Sequence, residues 1–173
     1  MRRGRVTALG AVAISIPLIA ASAVLPASAE PAQPPPIAVD LLTSRGVFTD
    51  QVSLKVKNKV EGRGTEVAQL RDASRIVVAE ITVQPGARFP LHTHAGPVFV
   101  NVIEGELTYV DPHRCQERVY EEGTAFVDMG ADVHSAYGSS SEQTVLIATF
   151  FGASEDGPLT IPEGVQTPTS CPS

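Results

Sequence analysis

The sequence predicts an all-β domain of sandwich or barrel type, on three observations. Val52, Leu54 and Val56 alternate with Ser53, Lys55 and Lys57, the period-two pattern of a strand with one buried face. Short runs rich in Val, Ile, Thr and aromatic residues recur along the chain, with Gly and Pro at their joints. No stretch carries a convincing apolar repeat at helical spacing, so strands have to pack on strands.

In chain order, Met1–Arg5 is basic, Val6–Leu25 is almost wholly apolar or small, and Ala27-Ser28-Ala29 closes the segment. A basic start, an apolar centre and an Ala-x-Ala exit describe a secretory signal peptide, with cleavage expected after Ala29. A retained membrane anchor is the competing reading, and Pro17, Pro26 and the small-residue exit favour cleavage. Arg2-Arg3 resembles the start of a twin-arginine signal, but Arg5 stands where an apolar residue is usual, which favours the general secretory route. The expected location is secreted or extracytoplasmic, with no membrane attachment once the segment is removed.

Residues 1–29 hold three arginines and no acid, so cleavage takes the net charge from −6 to −6 − 3 = −9. Such an acidic chain offers no basic stripe for phosphates, which excludes nucleic acid as a partner. The remaining 173 − 29 = 144 residues are enough for one domain with a real core and too few for two.

Residues 30–50 read as a Pro-rich tether and lead-in: four prolines fall in Glu30–Pro36, and Ile37–Phe48 is open between a short helical turn and an extended segment. The domain proper is expected over 51–152, with its central motifs in 80–150. It starts with the lysine-flanked strand from Gln51, a solvated face being the simple account of those lysines. A turn over Asn58–Gly64 follows, then strands over Val67–Leu70 and Arg75–Val83. Pro85-Gly86 is a turn signal, Pro97–Ile103 is a strand, and Glu104-Gly105 is read as a tight reversal into Glu106–Val110. Gln143–Phe151 is the last strand, and 153–173 is a loop-rich tail.

Chemistry concentrates in Gly86-Ala-Arg-Phe-Pro-Leu-His92-Thr-His94. Two histidines one residue apart on an extended segment point the same way and can share one ion. About thirty residues past the turn at Gly105, Gly123–His134 supplies a third histidine. The first stretch resembles the first motif of the cupin superfamily, Gly-x5-His-x-His-x3-Glu-x6-Gly, through Gly86, His92, His94 and Gly105. The second resembles the shorter motif, Gly-x5-Pro-x-Gly-x2-His-x3-Asn, through Gly123 and His134. Departures are Val98 for the glutamate, Met129 and Ala131 for the second motif's proline and glycine, and Gly138 for its asparagine. Most of the mature chain is also similar to small exported single-cupin proteins of actinobacteria, a group with no function to transfer.

The resemblance implies a double-stranded β-helix, the cupin jelly-roll barrel, as a single domain after the signal peptide. It further implies that the two motifs lie side by side and bring His92, His94 and His134 together inside the barrel. Three neutral imidazoles leave positions open, as catalytic metal sites do and closed structural sites do not. Zn, Mn, Fe, Ni and Cu are all compatible with such a divalent site, and the sequence does not choose among them. Val98 removes a negative ligand, leaving the ion more Lewis acidic. A relic with hydrogen-bonded histidines and no metal is the bland alternative. His113, in a Pro-containing loop, is expected to be exposed.

Cys115 and Cys171 are the two cysteines, and an even count in an oxidising compartment favours a disulfide between them. It would close a loop of 171 − 115 = 56 residues, worth about 4 kcal/mol in the chain-entropy model. Two free thiols, or Cys115 as a ligand, are the alternatives.

Two functions compete. One is a metal-dependent oxygenase acting on a small oxygenated compound, favoured by the open site and by Phe99 and Phe126 on the motif strands. No general base stands out, since Glu104 and Glu106 are expected at the rim. The other is a non-enzymatic module that captures a metal or small ligand. A sugar-binding or interaction role rests on analogy of fold alone. A homodimer is compatible with either.

Overall fold

The computed structural model describes residues 36–62 and 64–163. The chain divides into two units, Met1–Ala32 and Gln33–Ser173, and all described residues belong to the second. The expected signal peptide and its cleavage site, most of the Pro-rich tether, and Cys171 lie outside the described residues.

Thirteen strands follow in order, with no helix among the described residues: β1 (Ile37–Leu41), β2 (Gly46–Val47), β3 (Leu54–Val60), β4 (Gly64–Leu70), β5 (Arg75–Val83), β6 (His92–Thr93), β7 (Val98–Glu104), β8 (Glu106–Asp111), β9 (Gln116–Glu121), β10 (Ala125–Asp128), β11 (Ser135–Gly138), β12 (Thr144–Phe151) and β13 (Ile161–Pro162). The main sheet runs β1-β5-β12-β7-β10, with β2 also on β5. A second sheet runs β11-β8-β9, and the pairs β13-β6 and β3-β4 complete the set. This is the all-β jelly roll that the sequence predicts.

The strands form where alternation lets one face go dry. In β5, Val77, Ala79, Ile81 and Val83 are buried; in β7, Val98, Val100 and Val102; in β12, Leu146, Ala148 and Phe150. Leu107 of β8 and Ala136 of β11 close the core from the second sheet. Each large aliphatic side chain buried this way contributes roughly 1.5–3 kcal/mol relative to exposure. The β-branched valines suit a pleated surface packed on one side.

Several expectations change. Ile37–Phe48 is extended, and β1 and β2 hydrogen-bond to β5, so the sheet begins before the expected boundary at 51. It also reaches past 152, because β13 pairs with β6. The strand expected from Gln51 starts at Leu54 and continues through Asn58 to Val60, where an expected turn stood: Lys57-Asn58-Lys59-Val60 keeps the alternation, and pairing with β4 outweighs asparagine's preference for turns.

The expected hairpin at Gly105 is a corner. Strand β7 pairs with β10 and β12, whereas β8 pairs with β9 and β11, so Gly105 carries the chain from one sheet to the other. A single connecting residue is too short for a two-residue hairpin loop. Gly105 has φ +70°, and a Cβ there would stand 2.6 Å from the Gln143 carbonyl, so both its backbone and its missing side chain are used.

Candidate metal centre

The three motif histidines reach one point by different routes. His92 lies on β6, which has a two-residue pairing with β13. His94 follows after Thr93, and its backbone N–H donates to the Gly130 carbonyl at 2.8 Å. His134 immediately precedes β11 and exchanges two backbone hydrogen bonds with His92, at 2.9 and 3.0 Å. Together with the β7–β10 and β8–β11 ladders, that bridge sets the two motifs side by side.

The imidazoles face one another. One ligand atom from each of His92, His94 and His134 lies within 4.8 Å of the other two. His92 and His134 are 5% and 4% exposed, and His94 is half-buried. His113, the fourth histidine, is exposed in the β8–β9 loop.

Every ring is held from behind. The Nδ1–H of His92 donates to the Pro90 carbonyl at 2.7 Å, that of His94 to the Leu159 carbonyl at 2.8 Å, and that of His134 to the Asp132 carbonyl at 2.9 Å. A carbonyl only accepts, so each Nδ1 carries the proton and each Nε2 keeps a lone pair when the ring is neutral. Three lone pairs presented from rings oriented by backbone carbonyls are the donor set a divalent ion takes. The residues present therefore fit a metal.

Burial keeps the rings of His92 and His94 neutral. His92 is pushed down to about 4, first by burial and next by the neighbouring His134, against smaller raising effects from the Pro90 carbonyl and Asp128. Burial also lowers His94, opposed by the Leu159 carbonyl and Asp128. Rings that resist protonation stay available as ligands well below neutral pH.

The site opens on an apolar cavity of about 60 Å³. That exceeds the roughly 10–15 Å³ that a single water needs. Its walls include Phe89, Val98, Val100, Phe126, Leu146 and Phe150. Val98, where the cupin motif has glutamate, is 1% exposed and shares the inward face with Val100 and Val102, as regular alternation requires. Phe126 lines the cavity; Phe99 does not, because it alternates to the other face of β7 and packs edge-on against Phe151 at 5.6 Å. Glu104 and Glu106 are exposed, outside the cavity lining.

Sequence reasoning missed two residues. Asp128, 4% exposed, also lines the cavity, and its Oδ2 lies 3.3 Å from His134 Nδ1. Tyr109 donates its O–H to Asp128 Oδ2 at 2.7 Å and stacks on His134, with ring centres 4.9 Å apart and planes 15° from parallel. Asp128 had a signal: period-two spacing puts it on the same face as Phe126, an acid at a core-facing position. The glycine of the second motif is displaced by one residue: Gly130, with φ +88°, makes the close approach, and a Cβ there would meet the Gly96 carbonyl at 2.4 Å.

No family model matches this sequence, and no curated protein does. Solved structures do. A protein with a cupin-like fold from Ralstonia eutropha is 24% identical, with TM-score 0.39 over 45% of this chain and 51% of its own. The chain thus spans about half the length of that protein. The polyketide cyclase RemF from Streptomyces resistomycificus is 16% identical, with TM-score 0.46 over 76% of this chain and 84% of its own. KdgF from Halomonas sp. is 14% identical, with TM-score 0.46 over 71% and 84%. These are likenesses of fold and carry nothing about activity. The strand order and the meeting of the two histidine motifs make this chain a cupin-like jelly roll.

Proposed function

We propose that His92, His94 and His134 hold one divalent metal ion, and that the centre serves an oxygenase acting on a small oxygenated compound. The observation that carries this reading is the convergence of three ring nitrogens, each ring oriented by a backbone carbonyl, at the edge of an apolar cavity. A bound ion would supply Lewis acidity and open positions for an oxygen ligand. The chain's own part is to orient the rings, keep those of His92 and His94 neutral and exclude water with Phe89, Phe126 and Phe150. The cavity's size favours a ligand of a few non-hydrogen atoms. Asp128 is negative and no Lys or Arg is among the lining residues, so a neutral ligand is favoured over a polyanion.

One observation favours the second reading, a capture module without turnover. Both oxygens of Asp128 are engaged, Oδ2 by Tyr109 and Oδ1 by the Gly130 N–H at 2.6 Å, which leaves the cavity without a free general base.

Elemental analysis of wild type beside His92→Ala and His134→Ala tests the metal: near-equal metal in wild type and loss in both variants is expected. Protein that is metal-free after growth in metal-replete medium, and takes up no added ion, refutes it. Oxygen uptake by the Fe, Mn, Ni, Cu and Zn forms with small diketones and catechol-like acids then separates the readings. Turnover that depends on a redox metal and vanishes in His94→Ala supports the oxygenase; tight binding without turnover for every metal supports the capture module.

The same proposal places the mature protein outside the cytoplasm after cleavage at Ala29, which N-terminal sequencing of exported protein checks. It also pairs Cys115 with Cys171. Cys115 is not a free thiol, which supports the pairing. Labelling of both cysteines in non-reduced exported protein would refute it.

A further inference from the structure

Asp128 stands out among the lining residues because it is the one carboxylate among them. Its two oxygens do different work. Oδ1 accepts the Gly130 N–H at 2.6 Å and so shapes the turn after β10. Oδ2 has no part in that turn: it accepts from the Tyr109 hydroxyl at 2.7 Å and lies 3.3 Å from Nδ1 of His134. That nitrogen donates its proton to the Asp132 carbonyl at 2.9 Å, with the carboxylate beside it. Tyr109 meets the same histidine a second time, by its ring, stacked 15° from parallel. One imidazole therefore has a carboxylate as well as a carbonyl at its back and Tyr109 on its face, while the backs of His92 and His94 meet carbonyls.

The position of Asp128 matters as much as its contacts. It is the cross-strand partner of Val98 in the β10–β7 ladder, so the two side chains are immediate neighbours on the inward face. At 98 the chain has no acid. The negative charge of this site is instead on the next strand, behind a ligand.

We propose that Asp128 and Tyr109 are positioning residues for the metal centre, which fix the ring of His134 and deliver a negative charge to the ion through that imidazole. This rests on the metal site proposed above. A carboxylate held beside the far N–H of a ligating histidine makes its other nitrogen a stronger donor. The charge thereby reaches the ion without occupying a coordination position.

Zn²⁺ titration of the folded protein against a chromophoric chelator tests this, with thermal unfolding of each metal-free variant alongside. Asp128→Asn keeps size and the bond to Gly130 and removes the charge. It is expected to weaken Zn²⁺ binding about 10–100-fold. Tyr109→Phe keeps the stacked ring and removes the hydroxyl, and should fall between wild type and Asp128→Asn. The Co²⁺ form of Asp128→Asn should show shifted visible absorption, since that spectrum reports ligand geometry. Val98→Glu added to Asp128→Asn should recover affinity by returning a carboxylate to the neighbouring strand. If Asp128→Asn melts lower yet binds Zn²⁺ within twofold of wild type, the residue only shapes the turn and the proposal is overturned. Should Asp128→Asn fail to fold, unchanged affinity in Tyr109→Phe overturns it. Absence of Zn²⁺ binding by the wild type would overturn the metal site itself, a result distinguishable from the other two.

Discussion

Acidifying the metal-free protein from pH 7.5 to 4 probes how the histidine site is paid for in stability. His92 sits near 6.5 when the chain is unfolded and at about 4 when folded. Above 6.5 the ring is neutral in both states and its titration contributes nothing to the pH dependence. Between 6.5 and 4 the unfolded chain binds a proton that the folded protein refuses, so stability falls as pH falls through this window. At pH 4 the loss from His92 alone is about 3 kcal/mol, from a shift of about 2.5 units at 1.36 kcal/mol each, less the half-protonation of the folded ring. His94 is also lowered, by burial, and adds a loss of the same sign. Urea unfolding in EDTA at half-unit intervals measures it. Carboxylates titrate in the lower half of the range, so the informative quantity is the difference between wild type and His92→Asn. Their stabilities should converge as pH falls, because the variant lacks the group that resists protonation. Curves that run parallel from pH 6.5 to 4 would refute the reasoning, since His92 would then not be held neutral by its surroundings. Saturating Zn²⁺ should move the acid limb of wild type to lower pH, protons and metal competing for the same nitrogens.

Val98→Glu should lower metal-free stability by roughly 3 kcal/mol or more, because a buried carboxyl replaces a valine directly across from Asp128; thermal melts with and without Zn²⁺ should show a larger metal-induced rise than wild type, and no change in either would mean that residue 98 does not face the ion. Truncation after Pro158 removes the carbonyl that holds His94 and the β13 partner of β6, and should weaken Zn²⁺ binding about 10–100-fold, with Cys115→Ser as the control for the simultaneous loss of Cys171. Gly130→Ala should be severely destabilising in a thermal melt, since the added Cβ meets the Gly96 carbonyl at 2.4 Å on a backbone at φ +88°. His113→Ala should leave metal content and melting temperature unchanged, because the ring is exposed and remote from the triad.

The class of fold was legible because strand alternation is local. Arg75–Val83 carries its own pattern of buried and half-buried positions, and the structure has the strand at those residues. The histidine set was legible through joint spacing, and Val98 could be placed inward by counting two at a time. What sequence did not show was which strands pair. Glu104-Gly105-Glu106 has the composition of a tight turn, and only the partners of β7 and β8 reveal a corner between sheets. Asp128 was passed over although counting by two sets it with Phe126, because nothing nearby in the chain shows Tyr109, 19 residues away, lying against it. Ile37–Leu41 was ambiguous for a related reason: as an edge strand it leaves Val39 and Leu41 about half exposed, which blurs the pattern.

The partner of His94 has a consequence for the order in which the protein becomes competent. Of the three carbonyls behind the triad, those of Pro90 and Asp132 are two residues from the histidines they hold, whereas that of Leu159 is 65 residues away. Glu163 reinforces the same crossing, its N–H donating to the Leu91 carbonyl at 3.1 Å and its side chain accepting from Thr93 at 3.3 Å. A nascent chain can thus assemble two thirds of the ligand set from neighbouring residues, yet His94 has no fixed tautomer until residues 159–163 have been synthesised and have crossed back to β6. On the metal site proposed above, uptake at full affinity would therefore be a late step, waiting on a segment far from the ligands in sequence.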